Sequence, residues 1–171
     1  MDDVKVIKII DNFFNIDLLK KIQHHISHNI FFTPKYFENK EHTTQNYYGS
    51  RFLLAEDKKL LDTFIKQSEN KFKIKIKEVN SYSGIDIRNT DRFRPHVDDP
   101  AKMNILIMLK GPTAVTNGTV FYTEGELDIH IGFRENRAVM FPSNKYHSAH
   151  ITNEPSLKRY TSTLFIMDYE E

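Results

Sequence analysis

The sequence predicts a mainly β (α+β) protein in which two N-terminal helices precede a barrel or sandwich of antiparallel strands. Three observations predict it. Two amphipathic stretches with helical spacing occupy the region up to Phe72, short strand-like runs dominate the rest of the chain, and no helical period separates those runs. A parallel α/β sheet needs crossover helices between its strands, so that order excludes it.

Val4 to Ile10 alternates loosely between apolar and lysine side chains and reads as a first strand. Asn15 or Asp17 can cap a helix in which Ile16, Leu19, Ile22, Ile26 and Ile30 recur at helical spacing; Lys20, Lys21, His24, His25 and His28 occupy its other face. Phe31 to Ser50 is polar and aromatic and reads as irregular structure of the kind that forms a flap. Glu56 to Phe72 is a second amphipathic helix, with Leu60, Leu61, Phe64 and Ile65 as its buried stripe. Phe72, Ile74 and Ile76 then alternate with lysines at the period of a strand. Further strands are expected at Met103–Leu109, Thr119–Tyr122, Leu127–Ile131, Ala138–Phe141 and Tyr160–Met167. Turn signals separate them at Gly111-Pro112, Asn117-Gly118, Glu124-Gly125 and Pro142-Ser143.

A chain of 171 residues is long enough for one domain with a real core and too short for two of ordinary size. The expected organisation is one domain over 1–171, with helical support to about residue 72 and a strand core over about 73–168. With 39% hydrophobic residues, 13 Phe and 8 Tyr, disorder is excluded. Lys+Arg 24 against Asp+Glu 23 leaves a formal charge of +1, so no global field draws the protein to nucleic acid or to a membrane. The absence of cysteine excludes disulfides, thiolate metal sites and cysteine nucleophiles. Any metal must be held by histidine and carboxylate. The acidic start, Met1-Asp2-Asp3-Val4, lacks the parts of a signal peptide, and no apolar run is long enough to span a bilayer. A soluble cytoplasmic protein with no membrane partner is the expectation. The Lys-, Asn- and Ile-rich composition points to an AT-rich microbial or phage genome.

The chemistry-bearing stretch is Arg94-Pro95-His96-Val97-Asp98-Asp99-Pro100. Residues i and i+2 of a strand point to one side, so His96 and Asp98 can converge on one ion. A third ligand would come from a strand distant in sequence, where His147 and His150 are both candidates. Two histidines and one carboxylate on one face leave up to three positions of an octahedral ferrous ion open, enough for a bidentate oxoacid and dioxygen. Arg159 opens the apolar strand at the end of the chain, and its guanidinium suits the far carboxylate of such an oxoacid. Thr161, two residues on, faces the same way and can add a hydroxyl.

In order and spacing, His96-Val97-Asp98, Gly118-Thr119-Val120-Phe121-Tyr122, Phe141-Pro142-Ser143, His147 and Arg159 resemble the Fe(II)/2-oxoglutarate-dependent oxygenases. The resemblance is to the prolyl 4-hydroxylase-like branch with its phage and bacterial relatives, and covers Tyr82 to Met167. It implies a double-stranded β-helix (jelly-roll, cupin-like barrel) with the helices packed behind its major sheet. It also implies Fe(II), 2-oxoglutarate and O2, with ascorbate as a candidate addition, and hydroxylation of a C–H bond with release of succinate and CO2. A peptidyl proline, another protein side chain or a small molecule could be the substrate; nucleic acid is disfavoured by the charge balance. The resemblance implies His96, Asp98 and His147 as iron ligands, since the separation from Phe141 matches His147 rather than His150. It implies Arg159, helped by Thr161 and Tyr82, as the holder of the 2-oxoglutarate tail. Two departures stand out. The step from His147 to Arg159 is a little long, and the strand after His-x-Asp lacks the usual tyrosine, offering Asn104 as its polar group. Tyr82 or Tyr122 is the expected substitute.

Other readings compete. A cupin-like metalloenzyme without 2-oxoglutarate would draw more histidines from one early strand, where only His96 stands. A non-catalytic β-sandwich binding module would leave these polar residues on the surface, with His96 and Asp98 in a turn before Pro100. His24 and His28 sit at i and i+4, but no third ligand is near, so a solvated helix face is expected. His130 reads as a sheet-surface residue. Arg88, Arg92 and Arg94 either line a substrate entrance or form a solvated strand face, and Tyr47, Tyr48 and Arg51 suit a covering loop.

Overall fold

In the computed structural model, residues 6–37, 46–88, 95–150 and 158–171 are described. The first helix, α1 (Ile16–His28), begins where the Asn15 side chain accepts from the Leu18 amide at 2.8 Å. Leu19, Ile22 and Ile26 form its buried stripe, whereas Ile16 is exposed and Ile30 lies beyond its end. Each such burial contributes about 1.5–3 kcal/mol. The second helix, α2 (Lys58–Phe72), is capped by Asp57, whose Oδ1 accepts from the Leu60 amide at 3.0 Å. His25 of α1 reaches the other oxygen of Asp57 at 2.8 Å, tying the two helices together. Leu60, Phe64, Ser68 and Phe72 are buried, while Leu61 and Ile65, expected in the stripe, flank it half-buried. Neither helix is long and apolar enough to cross a membrane.

The strands are β1 (Lys8–Ile10), β2 (Thr33–Phe37), β3 (Asn46–Leu53), β4 (Lys75–Val79), β5 (Gly84–Arg88), β6 (Met103–Lys110), β7 (Ala114–Thr123), β8 (Glu126–Phe133), β9 (Arg137–Pro142), β10 (His147–His150) and β11 (Arg159–Glu170). They form two antiparallel sheets. The larger runs β1-β9-β6-β11-β5-β3-β2, with β4 also paired to β11; the smaller runs β10-β7-β8. A bridge between His96 and His147 extends the smaller sheet by one further edge. Two sheets facing each other in this order form a double-stranded β-helix, and no helix interrupts the later strands among the described residues.

Period-two alternation along the central strands builds both cores. On β6, Ile105, Ile107 and Leu109 turn to the helices, while Leu106 and Met108 turn to the small sheet. On β9, Ala138 and Met140 face the helices, and Val139 and Phe141 meet Phe121, Ile131 and Phe133 of the small sheet. A cavity opens between the sheets, on that second side.

Several expected elements differ. Of the stretch Phe31 to Ser50, the described parts hold β2 and the start of β3, not irregular structure. β3 is paired on both edges, by β2 and β5, and partners distant in sequence leave no local period. Gly49 passes so close to Ile87 that a Cβ would collide with its carbonyl oxygen. Phe72 closes α2 rather than opening a strand; the chain reverses at Lys73 in the left-handed region, φ 59°, before β4. Tyr82 sits in a turn ahead of β5. The first strand is described from Lys8; Val4 and Lys5 lie outside the described residues.

Candidate metal centre and its cavity

His96 and His147 lie opposite each other and exchange both backbone hydrogen bonds, each at 3.0 Å. Their rings therefore lie side by side, with centroids 4.4 Å apart. Asp98, two residues beyond His96, brings Oδ1 to 3.4 Å from His96 Nε2 and Oδ2 to 3.2 Å from His147 Nε2. One ligand atom from each of the three falls within 4.8 Å of the others. His150, the rival for the third position, is outside this cluster; its exposed ring packs edge-on against His130 at 5.3 Å.

The ligand atoms are held from behind. His147 Nδ1 donates to the Lys145 carbonyl at 2.9 Å, which fixes the ring and leaves Nε2 facing Asp98. Phe141 and Phe121 pack against the same ring, at centroid distances of 4.8 and 6.1 Å. Asn104, expected at the co-substrate, is fully buried and donates from Nδ2 to Asp98 Oδ2 at 2.7 Å. Ser143 of the Phe-Pro-Ser run accepts the Asp98 amide at 2.9 Å through its carbonyl, and its hydroxyl donates to the Ala101 carbonyl. The turn that presents Asp98 is thus pinned at both ends. Burial disfavours the Asp98 charge, but hydrogen bonds and charge from His147 and His96 outweigh it and hold the carboxyl well below the usual range. A divalent ion would supply that positive charge directly.

The cluster opens into a cavity of about 350 Å³, within the roughly 300–1,000 Å³ of small-molecule sites. Along β11, Arg159, Thr161, Thr163 and Phe165 line one wall, the period of two that the sequence implied for the first pair. Arg159 is only 3% exposed. Its Nη1 donates to Asn117 Oδ1 at 2.9 Å and to the Gly118 carbonyl at 2.5 Å, its Nε has no partner, and no carboxylate pairs with it among the described residues. Burial lowers its pKa to about 9, Arg88's charge adds to the effect, and Asp86 opposes it. A buried guanidinium without a counterion is costly unless an anion arrives.

Tyr82 stands at the mouth, 53% exposed, with the Arg51 guanidinium 4.3 Å from its ring centroid and Phe165 stacked beside it. Tyr122, the other expected substitute, faces elsewhere: its hydroxyl meets Ser148 Oγ at 3.0 Å. Arg51, expected on a covering loop, is instead buried on β3 and grips Asp86 with two hydrogen bonds, 2.8 and 2.7 Å. Arg88 lines the cavity; Arg92 and Arg94, and the side chains of Tyr47 and Tyr48, lie outside the described residues. His24 and His28 stack on the open face of α1 at 4.3 Å, with no third ligand among the described residues. Sequence reasoning missed Asp86, Ser143 and the bond from Asn104 to Asp98. Ser143 alone carried a signal, as part of Phe-Pro-Ser.

No family model and no curated protein matches the sequence. Solved structures do match. A prolyl hydroxylase from Trichoplax adhaerens, in complex with a hypoxia-inducible-factor peptide fragment, superposes with a TM-score of 0.64 at 14% identity, over 96% of this chain and 84% of that one. A 2OG-Fe(II) oxygenase family oxidoreductase from Burkholderia pseudomallei gives 0.63 at 12% identity, over 96% and 84%. The epimerase SnoN, solved with Fe3+, alpha ketoglutarate and nogalamycin RO, gives 0.64 at 8% identity, over 98% and 79%. At identities this low what is shared is the architecture: the chain has the double-stranded β-helix fold of the 2OG-Fe(II) oxygenases and prolyl hydroxylases.

Proposed function

We propose that the protein is an Fe(II)- and 2-oxoglutarate-dependent oxygenase that hydroxylates a C–H bond, with His96, Asp98 and His147 holding the iron. The single observation that carries this reading is the pairing, in one cavity, of a two-histidine, one-carboxylate cluster with a buried arginine to which no carboxylate hydrogen-bonds among the described residues. The residues fit the group. Two imidazoles and one carboxylate from one side suit ferrous iron and leave its other face to ligands. Arg159, with the Thr161 hydroxyl beside it on β11, offers the far carboxylate of an oxoacid a paired, charge-assisted site.

When bound, iron, 2-oxoglutarate and O2 supply the oxidising chemistry, whose products are succinate, CO2 and a hydroxylated substrate. The protein's own part is geometric and electrostatic. His147 is oriented by Lys145, and Asp98 by Asn104 and the Ser143 turn. Phe141 and Leu106 give that side of the cavity an apolar lining, with Phe121 packed against Phe141. Tyr82 and Asp99 at the mouth are placed to meet substrate. One relative in fold is solved with a peptide fragment and another with nogalamycin RO, so a peptidyl proline and a small molecule both stay within the proposal.

The test is an anaerobic titration of metal-free protein with Fe(II) and then 2-oxoglutarate, following the weak visible charge-transfer band. The band is expected in the wild type and absent in His147→Ala and Asp98→Ala, which should remain folded by circular dichroism. A wild-type protein that binds Fe(II) but never develops the band with 2-oxoglutarate would leave a metalloprotein of another class.

A further inference from the structure

On the face of the small sheet turned away from the cavity, two histidine rings meet above a glycine. On β8, Ile129 stands opposite Phe121 and Ile131 packs with it between the sheets, so alternation turns His130 outward. On β10, His147 and Ala149 line the cavity, so His150 turns outward in the same way. β7 runs between these two strands, and the residue it places there is Gly118, paired with His150. A Cβ on Gly118 would stand 2.8 Å from His130 Nε2, so that nitrogen leans across the bare backbone towards β10. The two rings meet edge-on, with centroids 5.3 Å apart and planes at 74°.

That spacing suits a chelate. Two imidazoles bound to one zinc ion at about 2.0–2.1 Å and at the tetrahedral angle hold their ring centroids about 5.2 Å apart. Neither ring has a hydrogen-bond partner among the described residues, so no fixed contact competes for the nitrogens. Burial, then the charges of His150 and Arg159, lower the His130 pKa and favour the neutral imidazole, the form that binds metals. The Arg159 charge that resists a proton there also resists a cation, so binding is moderate. No third histidine or carboxylate joins the pair among the described residues. Imidazole without carboxylate suits Zn(II), Ni(II) or Cu(II), whereas Mg(II) and Ca(II) need oxygen ligands.

We infer that His130 and His150 form a second site for a divalent transition metal, on the outer face of the small sheet and separate from the His96, Asp98 and His147 cluster. Zinc is the ion whose tetrahedral geometry the ring spacing matches, with water completing its shell. The site stands on the backbone that holds the cavity arginine: the carbonyls of Gly118 and His150 accept from Arg159 Nη1 at 2.5 and 3.4 Å. It does not depend on the oxygenase reading.

The test is calorimetric titration of the metal-free protein with Zn(II). One bound ion should weaken about tenfold or more in both His130→Gln and His150→Gln, the lower end of what losing even an outer partner costs a metal site. Both variants change exposed side chains and should keep the wild-type circular dichroism. The same ion should persist in Asp98→Ala, which removes a ligand of the other cluster, and in His24→Ala, which breaks the stacked pair on α1. If Zn(II) binds both histidine variants as it binds the wild type, the inference is overturned. It is equally overturned if every bound ion is lost in Asp98→Ala or in His24→Ala; neither result touches the iron reading.

Discussion

At the scale of single residues, the candidate centre depends on groups that never reach the cavity. Asn104 is the clearest. It is fully buried on β6, and its amide nitrogen sits 2.7 Å from the Asp98 oxygen that also faces His147. Partners behind a metal ligand fix its orientation, and their loss typically costs about 10–100-fold in metal affinity. Asn104→Leu keeps the volume and removes the donor. Fe(II) affinity measured by anaerobic calorimetry should fall within that range while the fold is retained. Unchanged affinity would mean that the Ser143 backbone contact alone positions Asp98.

At the scale of elements, the helices act as a buttress and the sheets carry the site. Asp57 caps α2 and meets His25 of α1, on the side of the large sheet away from the cavity. Burial disfavours its charge, but the Leu60 amide and His25 prevail, so its carboxyl titrates below the ordinary value. A folded-state pKa depressed below the unfolded value, about 3.9, adds stability above that value and loses it as pH falls through the folded pKa. Asp57→Ala should therefore cost about 1 kcal/mol at neutral pH. Urea unfolding should show the gap between variant and wild type narrowing in acid. Metal binding should be unaffected, because the partners of this cap among the described residues lie outside the cavity lining.

At the scale of the whole molecule, the cavity holds a cation that burial disfavours and that the proposed co-substrate would pair with. Arg159 is buried with no carboxylate hydrogen-bonded to it among the described residues, and His147 and His96 hold the Asp98 carboxyl well below its usual range. A ligand at a hundred times its dissociation constant stabilises the folded state by about 2.7 kcal/mol. For a chain of this size that corresponds to about 5–10 °C in Tm. Fe(II) and 2-oxoglutarate together should raise the anaerobic Tm by that order. In Arg159→Met the increment from 2-oxoglutarate should vanish and that from Fe(II) should persist; an increment surviving there would place the carboxylate anchor elsewhere.

The sequence by itself determined the fold class, both helices and the strands that carry period two, because side-chain alternation and capping are local. It also determined which residue types could meet at a metal: His96, Asp98 and His147 stand in a fixed order, and the i, i+2 rule places the first two on one side. Only the tertiary structure decided that His147 rather than His150 faces Asp98, since that choice depends on the antiparallel register between His96 and β10. The same holds for β3, for Tyr82 in its turn, for Asn104 behind Asp98, and for Arg51 on Asp86. Each is fixed by a partner contributed by another part of the chain, and pairings of that kind leave no period in the sequence. Arg88 became legible as a neighbour of Arg159 only when β5 and β11 were laid side by side, because cross-strand register is a property of the folded sheet.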